Sequence, residues 1–283
     1  MSSFPIGVIL ESLRQPIPEA LDTIKSLGAQ GVQVYATNGE LSPKRLTSTM
    51  RRDFPRMVRD RGLSISALCG DLGRGFGNPE LNPQLIEDSM RIIDLALEWG
   101  TNIVTTHIGV VPQDTRHPRY RIMQEACGKL AEYADSINAH FAVETGPETA
   151  RTLCGFLDSL HSQGVAVNLD PANLVMVTGD DPVQAVHTLK KYIVHTHAKD
   201  GRKLLDKDPE KIYGITFDTE LADSAFIELP LGKGDVPFRE YLNALREIGY
   251  SGYLTIEREV GEQPVKDIET AVRFLRGHFK GEI

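Results

Sequence analysis

Cysteine is scarce: three in 283 residues, Cys69, Cys127 and Cys154, far apart and without a C-x-x-C pair. An odd, scattered set argues against a disulfide framework and a thiolate zinc site, so buried free thiols are expected. Long apolar runs are missing too. Nowhere do about 18 consecutive apolar residues occur, and the opening Met1-Ser2-Ser3-Phe4-Pro5 lacks the basic segment, apolar run and cleavage site of a secretory signal. No membrane partner and a cytoplasmic location are therefore expected. Positive charge is not in excess either: 31 Lys and Arg stand against 39 Asp and Glu, a net charge of −8, with no basic cluster. That removes the electrostatic footprint of a nucleic-acid binder.

What is present is ordinary globular material, 41% hydrophobic and 25% charged, arranged as short apolar runs alternating with longer stretches of helical period. Eight runs read as strands: 6–10, 31–35, 63–68, 103–107, 141–144, 165–169, 193–197 and 253–257. Amphipathic stretches such as 18–27, 85–99, 123–137, 238–248 and 265–279 lie between them. Several strands begin just after a glycine that can end a helix in the left-handed conformation: Gly28, Gly62, Gly100, Gly164 and Gly249. Repeated βα units with strands apolar on both faces predict an α/β protein, a single (β/α)8 TIM barrel over 1–283. The alternative, a doubly wound open sheet, lacks its phosphate fingerprint. Gly73-x-Gly75 meets Asn78 where a third glycine is needed, and Gly232-Lys233-Gly234 has no Ser or Thr after it. One connection is out of proportion, an insertion after the seventh strand at about 199–237, rich in Asp, Lys, Gly and Pro and without clear period. It reads as a lid or dimer element of the same domain.

Working residues of such barrels protrude from the C-terminal strand ends. There the fifth strand carries Glu144, the sixth Asp170, the seventh His197 and the eighth Glu257. Each alone has a bland reading as a helix cap or turn starter. Together, three carboxylates and an imidazole at one mouth repel one another and are costly to bury unless a cation neutralises them. Three oxygen ligands and one nitrogen favour Mn2+ foremost, with Co2+, Mg2+ or Zn2+ as alternatives, over a structural zinc site. His107, closing the fourth strand, points into the same mouth and reads equally as a substrate hydroxyl binder or a structural imidazole. Glu11 and Glu148 are weaker substrate candidates, with Glu148 better suited to a helix N-terminus. His195, two residues before His197, is expected one layer deeper. The remaining histidines, His117, His140, His161, His187 and His278, read as surface, and Trp99 as interhelical packing. The loop from Cys69 to Phe76 is placed to cover a substrate.

The sequence resembles the xylose-isomerase-like sugar phosphate isomerase/epimerase superfamily. The resemblance rests on Val143-Glu144-Thr145-Gly146, on Asn168 to Leu174, on His195-Thr196-His197-Ala198-Lys199-Asp200, on Pro230 to Val236, and on Gly249-Tyr250-x-Gly252 leading to Glu257. It implies a divalent metal held by Glu144, Asp170, His197 and Glu257, with the two glutamates also serving as acid and base. It implies a small carbohydrate substrate and is compatible with a homo-oligomer. Epimerases of the group often carry a substrate-contacting His three residues after the metal-binding Asp, where this chain has Asn173. They also place an Arg shortly after the seventh-strand ligand, about where Arg202 or Lys203 lies. The implied activity is isomerisation or epimerisation of a sugar or polyol ketone by proton transfer through a metal-stabilised enediolate. A lyase on the same site, a keto-sugar dehydratase or carbon-glycoside-cleaving enzyme, begins with the same enolisation. A non-catalytic sugar-binding barrel is the third reading.

Overall fold

The structure, a computed structural model, describes residues 4–215 and 224–280. The opening residues 1–3, and residues 216–223 of the expected insertion, lie outside the described residues. Eight parallel strands close into a barrel: β1 (Ile6–Ile9), β2 (Gly31–Tyr35), β3 (Ser64–Cys69), β4 (Ile103–Thr106), β5 (His140–Glu144), β6 (Val165–Leu169), β7 (Ile193–Ala198) and β10 (Leu254–Ile256). Their order is β1-β10-β7-β6-β5-β4-β3-β2, with β1 returning to β2. Each falls on an expected run to within a residue or two. The chain makes strands there because each run is short, largely apolar and buried on both faces. Closure is completed by Ile6 opposite Leu254 and Val8 opposite Ile256.

The helices are α1 (Ile17–Leu27), α2 (Ser48–Asp60), α3 (Asn82–Glu98), α4 (Pro118–Ser136), α5 (Ala150–Asp158), α6 (Pro171–Asn173), α7 (Pro182–Leu189), α8 (Pro209–Ile212), α9 (Phe238–Glu247) and α10 (Pro264–Lys280). Side chains of Thr47, Thr149 and Asp181 accept the first amides of α2, α5 and α7, which fixes where those helices begin. In α9 the residues Phe238, Tyr241, Leu242 and Leu245 face inward at three-to-four spacing. Trp99 packs its ring 4.9 Å from Phe54 and donates its indole N–H to Arg51 O, joining the end of α3 to α2. Each such buried ring contributes about 1.5–3 kcal/mol. Among the described residues, no helix is long and apolar enough to cross a membrane.

Between β7 and α9 the chain leaves the barrel. Here β8 (Asp200–Lys203) pairs antiparallel with β9 (Phe226–Leu229), and α8 lies between them in sequence. Asp200 anchors this hairpin. Its Oδ1 accepts N–H groups of Gly201 at 2.9 Å and Val236 at 3.2 Å, and its Oδ2 those of Gly232 and Gly234, both at 2.9 Å. A side chain at position 234 would put its Cβ 2.1 Å from Asp200 Oδ1, so only glycine fits.

Candidate metal centre

Four adjacent strands, β5, β6, β7 and β10, deliver the four expected donors. Glu144 is the last residue of β5, His197 lies near the end of β7, and Glu257 follows β10 directly. Asp170 follows β6 and caps α6, its Oδ1 accepting Asn173 N–H at 2.8 Å, which leaves Oδ2 for the barrel mouth. All four are buried, and one donor atom from each lies within 4.8 Å of the others. At the centre stands His197 Nδ1, 3.2 Å from Glu257 Oε2, 3.4 Å from Asp170 Oδ2 and 3.5 Å from Glu144 Oε1.

The far side of the His197 ring is held by the chain's own amides, with Nδ1 facing the carboxylates. Nε2 lies 3.1 Å from Gln33 Oε1, whose amide is oriented by donating Nε2–H to Thr105 Oγ1 at 3.0 Å. Gln33 Oε1 accepts from His197 Nε2, which also lies 3.2 Å from Asn168 Nδ2, and the ring presents Nδ1 to the acids. His195 sits one layer down, its Nε2 2.9 Å from both Gln33 Oε1 and Thr255 Oγ1. Burial, reinforced by the neighbouring His197, holds it neutral, well below the usual imidazole range.

Neither Asp170 Oδ2 nor His197 Nδ1 has a hydrogen-bond partner. Buried lone pairs on four converging donors repel unless positive charge sits among them. The protein alone shows that demand: burial pulls the His197 imidazole down, but Glu257 and Glu144 drive it well above its normal value. Three carboxylates and one imidazole match the donor preferences of a hard or borderline divalent cation. The residues therefore fit a divalent metal.

Above the cluster lies a cavity of about 370 Å3, walled by Tyr35, His107, Asn173, Lys199 and Tyr213 among others. His107 Nε2 is 3.5 Å from Glu144 Oε1. Asn173 Nδ2 donates to Glu144 Oε1 at 3.1 Å, and Asn168 Nδ2 to Glu144 Oε2 at 3.1 Å, so two amides hold that carboxylate in place. Arg202 is elsewhere. It lies on the hairpin, half-exposed and forked onto Asp235 at 2.8–2.9 Å, and does not line the cavity. The cation at the site is instead Lys199, buried with Nζ 2.5 Å from Glu259 Oε2 and 3.1 Å from Glu257 Oε2. Burial opposes ionisation of Glu257, yet Lys199 and His197 hold it well below the carboxylate norm. Lys199 was within reach of sequence reasoning, since it follows His195 and His197 at strand period two. Gln33 and Asn168, buried polar residues inside strands, were not singled out.

Three weaker expectations resolve differently. Glu148 is buried away from the α5 amides, its Oε2 accepting Val111 N–H at 3.2 Å, and burial lifts its carboxyl to about 8. Glu11 is lifted to about 7 by burial, accepts Tyr35 N–H at 3.1 Å, and does not line the cavity. His140 opens β5 and is half-buried rather than free on the surface, because the strand begins one residue earlier than its apolar run.

A sequence model of the family described as xylose isomerase-like TIM barrel matches residues 21–278. Among solved structures, the xylose isomerase domain protein of Planctomyces limnophilus is 25% identical, with a TM-score of 0.78 over 99% of either chain. The Bacillus anthracis "probable 3-DHS dehydratase" involved in petrobactin synthesis superposes with a TM-score of 0.75 at 18% identity, over 96% of this chain and 98% of its own, a likeness of fold alone. A Haemophilus influenzae protein bearing the name "Putative L-ribulose-5-phosphate 3-epimerase" is 21% identical, the match covering 97% of this chain and 96% of the other.

Proposed function

The chain belongs to the xylose isomerase-like TIM barrel family, and on that premise we propose that it is a divalent-metal-dependent isomerase or epimerase of a sugar or related polyol ketone, with Mn2+ as the metal. The observation that carries this reading is the convergence of Glu144, Asp170, His197 and Glu257 on one point with unpartnered buried lone pairs. A bound divalent cation supplies Lewis-acid stabilisation of the negative charge that develops when a carbon acid beside a carbonyl loses its proton.

The chain's own residues do the rest. Glu144 and Glu257 come from the two outer strands of the four-strand arc, so they approach the centre from opposite sides. Glu257, kept ionised by Lys199, is set to accept a proton, and Glu144, steadied by Asn168 and Asn173, to return to the opposite face one taken up from water, the proton on Glu257 going back to water after product leaves. Two faces give inversion of a centre; one group serving two carbons moves the carbonyl. Tyr35 and Tyr213 stand in the cavity wall, and His107, on the same wall, is the group that holds a substrate hydroxyl.

A second reading, elimination from the same enolised sugar, is favoured by Lys199 Nζ lying 3.1 Å from Glu257 Oε2, a second proton carrier able to serve a leaving hydroxyl. The test is a keto-sugar turnover screen with Mn2+, with product analysis and metal content measured on the same protein. Isomeric products lost in Glu257→Gln support the first reading, and loss of water or an aglycone selects the second. Full turnover by Glu257→Gln, or purified protein that neither holds nor takes up a divalent metal, overturns both.

A further inference from the structure

Ile212 and Tyr213 line the metal cavity, although in sequence they belong to the excursion that leaves the barrel after β7. Tyr213 is also in the wall of a second cavity, of about 500 Å3, which shares Asp71 and His107 with the first. Asp71 and His107 follow β3 and β4 directly, so they are fixed to the barrel. Tyr213 is not. The part of the divide that it supplies is carried by residues 208–215, which form a strap. The strap starts from β8, beside β7, and its Glu210 pairs with Arg119 of α4, the helix after β4. β7 and β4 are three places apart in the ring of eight strands, so the strap passes the rim that β6 and β5 supply. On the way Tyr213 sets its ring 5.9 Å from His107, and its hydroxyl lies 3.1 Å from where a Cβ on residue 146 would stand, a space that Gly146 leaves open.

Little holds this strap down. Asp208 caps its single turn, and among the described residues every backbone hydrogen bond from 208 to 215 ends within 208–215. Its described ties to the barrel are the packing of Ile212 and Tyr213 and the Arg119–Glu210 pair, whose side chains are 16% and 29% exposed. A pair that shielded outweighs one open to water, and loss of either partner leaves the other charge poorly solvated. Lifting the strap therefore breaks one ion pair and a small apolar contact, and no strand ladder. Openings of that kind belong to the low-energy end of native-state motion.

We propose that Tyr213 sets the size of molecule that reaches the metal centre, as the plug of a strap that lifts as a unit and is latched by Arg119 to Glu210. Cys69 reports on it directly, because its thiol is free, half-buried and in the wall of the metal cavity. Cys154 is half-buried outside that cavity, against Thr188 O, and Cys127 is buried within α4. The purified full chain is treated with N-ethylmaleimide or with the much larger fluorescein-5-maleimide, and labelling of each cysteine is followed by peptide mass spectrometry. The large-to-small rate ratio at Cys69 is free of its thiol acidity, and division by the ratio at Cys154 removes the difference between the reagents. In the parent protein that quotient should be about 0.1 or less, since the large reagent reacts only with the open population. Tyr213→Ala should raise it about tenfold, Arg119→Met and Glu210→Gln about fivefold each, and Arg119→Lys, which keeps the charge, less than about twofold.

A parent quotient near one, a quotient unmoved in Tyr213→Ala or in either latch variant, Arg119→Lys as open as Arg119→Met, or a Cys69 that neither reagent reaches in any variant overturns the proposal. So does labelling of Cys127 that rises in step with Cys69, because the buried thiol answers to unfolding of the barrel. No turnover or bound metal is needed for these measurements, so the size limit stands or falls apart from the function proposed above.

Discussion

Asp170 and Asp200 are both buried aspartates beside the barrel mouth, and they solve the same problem in opposite ways. Asp200 is saturated by four backbone N–H groups and ties a hairpin to the following loop. Asp170 spends one oxygen on capping α6 and leaves the other without a partner, aimed at a histidine and two more acids. Burial opposes ionisation of both, and both carboxyls lie above the ordinary aspartate value. What separates them is what the lone pairs face. Donors from the chain's own backbone make a structural knot, whereas unpaired oxygens converging with others make a seat for something that is not protein.

The largest effect that can break this contrast is Asp170→Asn. Turnover should fall by about 10^3 or more and Mn2+ affinity by about 100-fold or more, read by calorimetry. The metal-free protein should melt at the same temperature or higher, because one of three mutually repelling charges is gone. A large drop in melting temperature instead would make Asp170 a structural residue like Asp200. Next comes Asp200→Ala, which strands four amides and should cost about 3 kcal/mol in denaturant unfolding, with Mn2+ affinity kept within about threefold if the two regions are distinct.

Glu148 sharpens the contrast as an intermediate case, with one oxygen on Val111 N–H, the other unpartnered, and no neighbouring acid in hydrogen-bond contact. It answers by holding its proton: burial raises the carboxyl from 4.5 to about 8. Stability from that retained proton is full below the unfolded value and is lost as pH rises through the folded one. Glu148→Gln should therefore gain on the parent protein as pH climbs from 4.5 to about 8, by on the order of 1–3 kcal/mol in unfolding free energy at high pH. A constant difference across that window would mean the carboxyl titrates normally. The smallest effect is at the Arg202–Asp235 fork, open to solvent and outside the cavity, where Arg202→Ala should leave melting temperature and KM essentially unchanged.

The barrel was legible because its strands are short apolar runs and its helices often stop at glycines such as Gly28 and Gly249, so alternation and punctuation agree. The four donors were legible because strand ends are countable positions. The hairpin was not: Asp-Gly-Arg-Lys over 200–203 has no strand character, and it pairs only because Asp200 is gathered in by amides from 201 to 236. Arg202 was misplaced for the same reason, since a strand leaving the barrel directs its side chain away from the mouth. Gln33 and Asn168 read as odd polar residues within apolar strands, and their partners His195, His197 and Glu144 come from other parts of the chain.

His195 and His197 share one acceptor, Gln33 Oε1, reached across the interior from β2. The imidazole that faces the three acids is thus oriented from the floor of the barrel, and no loop holds it in place. The cavity above it, by contrast, takes part of its wall from loops, at Thr37, Asn38 and Asp71. Selection can rewrite those loops, and with them the molecules admitted, while the chemical engine underneath keeps its alignment.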